Sequence, residues 1–188
     1  MKQYLAHIRR DSSKEQSMED HLLRVGNLMK EDAARLGLSS LAYLIGVLHD
    51  LGKCTAEFAE YLDWCRKHPG DYSRRGEVDH ATAGGQLLLQ RYGTVGENER
   101  LTAQMAALVI FSHHSGLMNY LGEDGKSDFL RRMEKKEVPQ PDLTYYYENV
   151  IAESKLDFLF QEAVREFSAL DAKIVAHTTE GSEAYFFS

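Results

Sequence analysis

Apolar residues recur at spacings of three and four along most of this chain, and strict alternation is weak everywhere. That period puts side chains on one stripe of a helix, so the sequence predicts an all-α helical bundle. Ser17 begins a capping box with Asp20, and a first helix runs to about Arg35 with His21, Val25, Leu28 and Asp32 on one stripe. Gly37 ends it. Ser39 or Ser40 caps a second helix through Leu48, apolar almost all round and so buried on most sides, with Gly52 at its end or just beyond. Thr55 caps a third, with Phe58, Tyr61, Leu62 and Cys65 inward, closed by Pro69-Gly70. Asp71 to Val78 is a polar loop.

Asp79 caps a fourth helix holding His80, Ala83, Gly84, Leu87 and Leu88. Its small residues Ala81, Ala83, Gly84 and Gly85 predict close approach of another backbone. A fifth helix spans about Glu99 to His113, with Leu101, Met105, Leu108 and Val109 inward. Ser115 to Lys126 is a loop, a short helix follows Asp128, and Pro139 and Pro141 stiffen a linker. Thr144 or Tyr145 opens one last long helix to about Lys173. His177 to Ser188 shows no clear element. The whole of 1–188 reads as one domain, with 174–188 a poorly defined tail.

Composition changes this picture little. Apolar residues make up 43% and charged residues 27%, ordinary for a globular protein. Cys54 and Cys65 lack a metal-type spacing and argue for neither a disulfide scaffold nor a zinc finger, so a reducing cytoplasm is the expected compartment. The opening MKQYLAHIRRD has no signal-peptide core, and the longest apolar runs are too short to span a bilayer. Net charge is -7, from 22 Lys and Arg against 29 Asp and Glu. That weighs against coating nucleic acid by charge alone, but bound cations would add positive charge that the count omits.

The chemistry lies in the histidines. His49-Asp50 ends the apolar second helix and runs into Leu51-Gly52-Lys53, while His21, His80 and the pair His113-His114 stand on or beside other apolar segments. One histidine on an apolar face is usually a hydrogen-bonded core residue. Asp50 alone can cap a turn, and His113-His114 alone can be a wet helix end. Five of the eight histidines in such places, with one aspartate, are costly to bury together without a use. Imidazole and carboxylate are the ligands a hydrolytic metal needs.

Asp50 is the natural bridge between two ions. His21, His49 and Asp50 would hold the first, and His80, His113 and His114 the second. Two ions about 4 Å apart clamp both oxygens of an in-line displacement at phosphorus and supply the activated water, so no separate protein base is required. Lys53 would anchor the phosphate and stabilise the transition state. The chain thus reads as a metal-dependent phosphodiesterase or nuclease. His7, His68 and His177 lie in polar surroundings and read as surface residues.

The order His21, His49-Asp50-Leu51-Gly52-Lys53, Asp79-His80 and His113-His114-Ser115-Gly116-Leu117 resembles the HD-superfamily nuclease domain of the CRISPR-associated type I helicase-nuclease. Tyr4-Leu5-Ala6-His7 is similar to that family's start, and Thr55, Glu57, Phe58 and Tyr61-Leu62 to its helix after the HD motif. The likeness spans about Tyr4 to Leu117. It implies an HD-domain bundle with two divalent ions (manganese, nickel, cobalt or iron, with magnesium weaker) acting as an endo/exodeoxyribonuclease on single-stranded DNA. It implies as partners a superfamily-2 helicase domain or subunit and the CRISPR surveillance complex, with no membrane. His7 would brace the site from behind the ligands. The family places a further aspartate of the first ion on a late helix. Asp171, in Phe167-Ser168-Ala169-Leu170-Asp171, is the candidate here, though the surrounding spacing departs from the family's, and Asp157 is the alternative. The apolar tail residues Tyr185, Phe186 and Phe187 favour a chain that leads on to a helicase region.

Arg74 and Arg75 could line an approach for the strand. The run Lys126, Arg131, Arg132, Lys135 and Lys136 reads better as a solvated face, and Tyr145-Tyr146-Tyr147 better as core than as a base-stacking surface. Two other functions compete: an HD phosphohydrolase acting on a nucleotide or cyclic dinucleotide in a closed pocket, and a helical interaction module with a structural metal.

Overall fold

The computed structural model describes residues 3–8, 14–114, 116–120, 122 and 125–186, with backbone alone from residue 177. Ser115, Phe187 and the side chains of His177, Tyr185 and Phe186 therefore lie outside it. Among the described residues the fold is helical, with eight α-helices and one small hairpin.

The hairpin departs from the sequence expectation. Strand β1, Leu5–Ile8, pairs antiparallel with β2, Glu15–Ser17. Tyr4 and Ala6 point into the core. Their alternation with Leu5 and His7 is too short to stand out against a helical background. The register slips between Leu5 and His7, so Ala6 is an extra residue on β1.

Helix α1, Met18–Ala33, begins as expected: the Ser17 hydroxyl accepts from the Asp20 amide at 3.3 Å. Its core stripe is Met18, Leu22 and Gly26, whereas Leu28 is exposed. His21 and Val25 lie at the edge of that stripe. Helix α2, Ser39–Leu48, is central, with Leu41, Ala42 and every residue from Leu44 to Leu48 buried. Neither serine caps it. Ser39 instead donates to the Lys30 carbonyl, and the Glu166 carboxylate accepts from the amides of Ser40 and Leu41. A remote acid near a helix N-terminus satisfies its free amides and suits its dipole.

Close helix approach fixes the surroundings of α2. A Cβ on Gly46 would lie 2.5 Å from the Gly26 Cα, so α1 and α2 touch backbone to backbone. Beyond α2 come His49, Asp50 and a 3-10 turn, Leu51–Lys53. Helix α3, Ala56–Lys67, is capped by Thr55 as expected. Helix α4, Ala83–Tyr92, starts three residues later than the sequence suggested, so His80 precedes it in an irregular segment. Asp79 accepts there from the Ala81 amide and the Thr82 hydroxyl. The expected close approach is present, since a Cβ on Gly84 would meet the Leu48 carbonyl oxygen at 2.0 Å.

Helix α5, Glu97–Ser112, bears out the predicted face only in part: Leu108 and Val109 pack half-buried against the core. Thr102, Ala103, Ala106, Ala107, Ile110 and Phe111 point inward, while Leu101 and Met105 are 39% exposed. Small residues let α5 lie close to α4, where the Phe111 ring packs against Gly85. Helix α6, Asp128–Met133, is short. The single late helix is two: α7, Leu143–Asn149, capped by Asp142, and α8, Glu153–Phe186, which carries helix through the expected tail. Tyr145 and Tyr146 are core, as expected, and the Tyr146 hydroxyl donates to the Val47 carbonyl at 3.0 Å. No described helix is long and apolar enough to cross a membrane.

Candidate metal centre

The end of α2 carries the centre. The α1 contact through Gly26 sets His21 beside it, and the α4 contact through Gly84 brings the segment holding His80. Gly52 tightens the second approach, because a Cβ there would lie 2.6 Å from both the Cα and the carbonyl oxygen of His80. His113 and His114 arrive from the end of α5. The Ser112 hydroxyl holds the turn beyond them by donating to Leu108 and accepting from the Met118 amide.

Asp50 is 2% exposed and sits at the middle. Its Oδ2 lies 2.9 Å from His21 Nε2 and 3.1 Å from His49 Nε2, and those two nitrogens are 3.2 Å apart. Its Oδ1 faces the other way, 3.4 Å from His113 Nε2 and 3.8 Å from His80 Nε2. His80 Nε2 is in turn 2.7 Å from His114 Nε2. One carboxylate thus offers one oxygen to each of two groups of imidazoles.

The rings are oriented from behind. His49 Nδ1 lies 2.8 Å from the Gly46 carbonyl, His113 Nδ1 2.7 Å from that of Ile110, and His80 Nδ1 3.3 Å from that of Val78. A carbonyl only accepts, so each Nδ1 carries the proton, and in the neutral ring Nε2 presents a lone pair to Asp50. This backing by a carbonyl is the usual support of metal-binding histidines. Without a cation the arrangement is unfavourable. Asp50 Oδ1 and His113 Nε2 are buried and, among the described residues, lack a hydrogen-bond partner. At most one proton can serve the gap between His21 and His49. Donors about 3 Å apart are spaced as neighbouring ligands around an ion with bonds of about 2.1 Å. The residues fit divalent metal ions.

Electrostatics agree. Burial pushes the Asp50 carboxyl up, but hydrogen bonds from His113, His21 and His49, open to them only when Nε2 carries a proton, and the charge of the Lys53 ammonium outweigh it and hold the group well below the usual carboxylate range. Burial, followed by the charge of Lys53, lowers His7 to about 4. Burial, then His113 and His80, lowers His114 to about 4, and burial also lowers His80. These three imidazoles are neutral near pH 7, the form a ligand requires.

The sequence expectation thus names six residues that converge: His21, His49, Asp50, His80, His113 and His114. Lys53 is beside them, 3% exposed, with Nζ 2.9 Å from Asp50 Oδ2. Asp171 does not arrive. It is exposed on α8, beyond the Glu166 that reaches the opposite end of α2. Asp157 is engaged by Arg91 and the Tyr92 hydroxyl. His7 comes instead, with donors of His7, His21 and Asp50 all within 4.8 Å of one another.

An open groove of about 860 Å³ leads away from the cluster. His7, Lys53, His80 and His114 lie at the metal end, and Phe58 and Tyr61 of α3 line its length. Its outer wall includes exposed Arg66 and Arg75. Arg74 turns aside to pair with Glu77 and lies over Trp64. In the basic run, Arg131 pairs with Asp128 of its own helix, as a solvated face would. Lys135 and Arg132 do something the sequence did not signal. Lys135 Nζ reaches Asp79 at 2.5 Å and Arg132 reaches the Thr82 hydroxyl at 3.0 Å, which pins the turn that carries His80.

A family model described as Cas3, HD domain, matches residues 3–182. A search of curated proteins finds no match.

Proposed function

Because the chain belongs to the Cas3 HD-domain family, whose members are metal-dependent nucleases and phosphohydrolases, we propose that it hydrolyses phosphodiester bonds of single-stranded DNA in CRISPR interference. The observation that carries the reading is Asp50, with Oδ2 toward His21 and His49 and Oδ1 toward His113 and His80. In this reading His21, His49 and Asp50 hold one divalent ion, and Asp50, His80, His113 and His114 hold a second. Manganese, cobalt, nickel and iron suit the histidine-rich donor set better than magnesium. When bound, two such ions supply the positive charge on the phosphate and the activation of water that this hydrolysis needs.

The chain's own residues do the rest. Asp50 stays ionised and takes the negative half of the centre. His80 and His114, whose charged forms burial disfavours, stay neutral and limit the charge that builds up around it. Lys53 brings a fixed ammonium to the metal end of the groove, where it offers charge to a phosphate. The groove suits a polymer better than a nucleotide, because among the described residues one wall is exposed side chains rather than a closed lid. Phe58 and Tyr61 give it apolar faces and Arg75 gives it charge, while Arg66 pairs with Glu15 on the same wall; aromatic faces with a cation are the combination that serves single strands. Partnership with a superfamily-2 helicase and a surveillance complex belongs to the same proposal.

A time course with manganese on single-stranded DNA, double-stranded DNA, RNA and a cyclic dinucleotide tests this. Single-stranded DNA is expected to be cut fastest and chelator to stop the reaction. Preference for the cyclic dinucleotide would overturn the proposal in favour of a pocket phosphohydrolase.

A further inference from the structure

The first group of donors is the poorer one. Beside Asp50 it has two imidazoles, while the second group has three. Among the described residues no late carboxylate supplements it, since Asp157 is paired with Arg91 and Tyr92 and Asp171 is exposed on α8. The hairpin supplies what the late helix does not. The extra residue Ala6 interrupts the ladder between Leu5 and His7, and a bulge of this kind re-aims the next side chain. The His7 ring then stands edge-on to His21 with centroids 4.8 Å apart.

The Lys53 ammonium reports where the His7 nitrogen points. Nζ is 3.5 Å from His7 Nε2, 3.3 Å from the Ala6 carbonyl and 2.9 Å from Asp50 Oδ2. An ammonium only donates, so an Nε2 that faces it presents a lone pair. That lone pair is directed to the same corner as the Asp50 oxygen that meets His21 and His49. From this we infer that His7 is a direct ligand of the first ion, so that the β1–β2 hairpin closes that half of the centre. The inference rests on the metal reading above.

Co²⁺ titration of the purified chain, followed by its visible absorption, distinguishes ligation from mere support of Lys53. Three variants are compared with the unaltered protein: His7→Ala, His7→Gln and Asp171→Ala. The glutamine keeps a carbonyl oxygen that can accept from Lys53 but lacks an imidazole. The unaltered chain and Asp171→Ala should each bind two ions. Both His7 variants should bind one ion as before and weaken the other by at least the roughly 10-fold to 100-fold that loss of even an outer partner costs. An anomalous map of Co²⁺-loaded crystals should place an ion at bonding distance, about 2.1 Å, from His7 Nε2. Two-ion binding by His7→Gln at the unaltered affinity would overturn the proposal, as would weakening by Asp171→Ala. Neither result would touch the nuclease reading, which is judged on DNA. An unaltered chain that binds no Co²⁺ would remove both.

Discussion

His49, His80 and His113 each place Nδ1 against a main-chain carbonyl and aim Nε2 at one aspartate. The convergence of six of the seven candidate metal ligands was legible because they come as pairs or stand at the ends of apolar runs, where burial of a polar ring needs a reason. His7 was readable only as a neighbour of the site, because its direction comes from a bulge in a four-residue strand. Asp171 looked right by helix and type, but what places a residue on a 34-residue helix is packing that local sequence does not show. Lys53 yields a residue-level prediction. Lys53→Ala should lower turnover on single-stranded DNA by about 10²-fold to 10³-fold, as loss of an oxyanion donor does. Bound metal, measured by mass spectrometry, should change little, and an unchanged kcat would remove Lys53 from the chemistry. The lowered imidazoles yield another. With His7 and His114 held to about 4 and His80 also lowered, the unfolded chain takes up protons that the folded metal-free chain refuses. Stability of the chelated protein should therefore fall as pH drops from about 6.5, the unfolded imidazole value, toward 4. A melting temperature that holds or rises over that window would contradict the assignment of neutral rings.

At the scale of elements, α2 was the most legible, since near-continuous apolar character left it no place but the centre. Its cap was not, because Glu166 lies 126 residues from Ser40 and local reading favours the nearby serines. The inner face of α5 was read correctly at Leu108 and Val109 and misread at Leu101 and Met105 for a related reason. Leu101 and Met105 are more apolar than Ala103, Ala106 and Ala107, yet close packing against α4 selects the small residues. Gly52 is the element-level test. Its missing Cβ lets the turn after α2 touch the backbone of His80, and backbone cannot swing aside as a side chain can. Gly52→Ala should cost about 1–3 kcal/mol by overpacking. It should also weaken metal at the His80 group before the His21 group. Urea unfolding and metal titration at wild-type values would show that the contact is not what holds His80.

For the whole molecule, the totals said little about activity. A net charge of -7 would not suggest a partner for DNA, and on the proposed reading the positive charge is local, from Lys53 and Arg75 in the groove, with Arg66 paired to Glu15. Among the described residues the all-helical expectation holds apart from one hairpin, which matters out of proportion to its size because it lies along the candidate metal centre and lines the groove. The fold is thus an arrangement for bringing α1, the end of α2, the turn before α4 and the end of α5 to one carboxylate. Measuring manganese per chain for the wild type and for Asp50→Ala tests that most directly. The unaltered chain should bind two ions, and removal of the shared aspartate should abolish tight binding of both together. An Asp50→Ala chain that still holds one ion at the original affinity would show that the two groups of histidines do not depend on a common bridge.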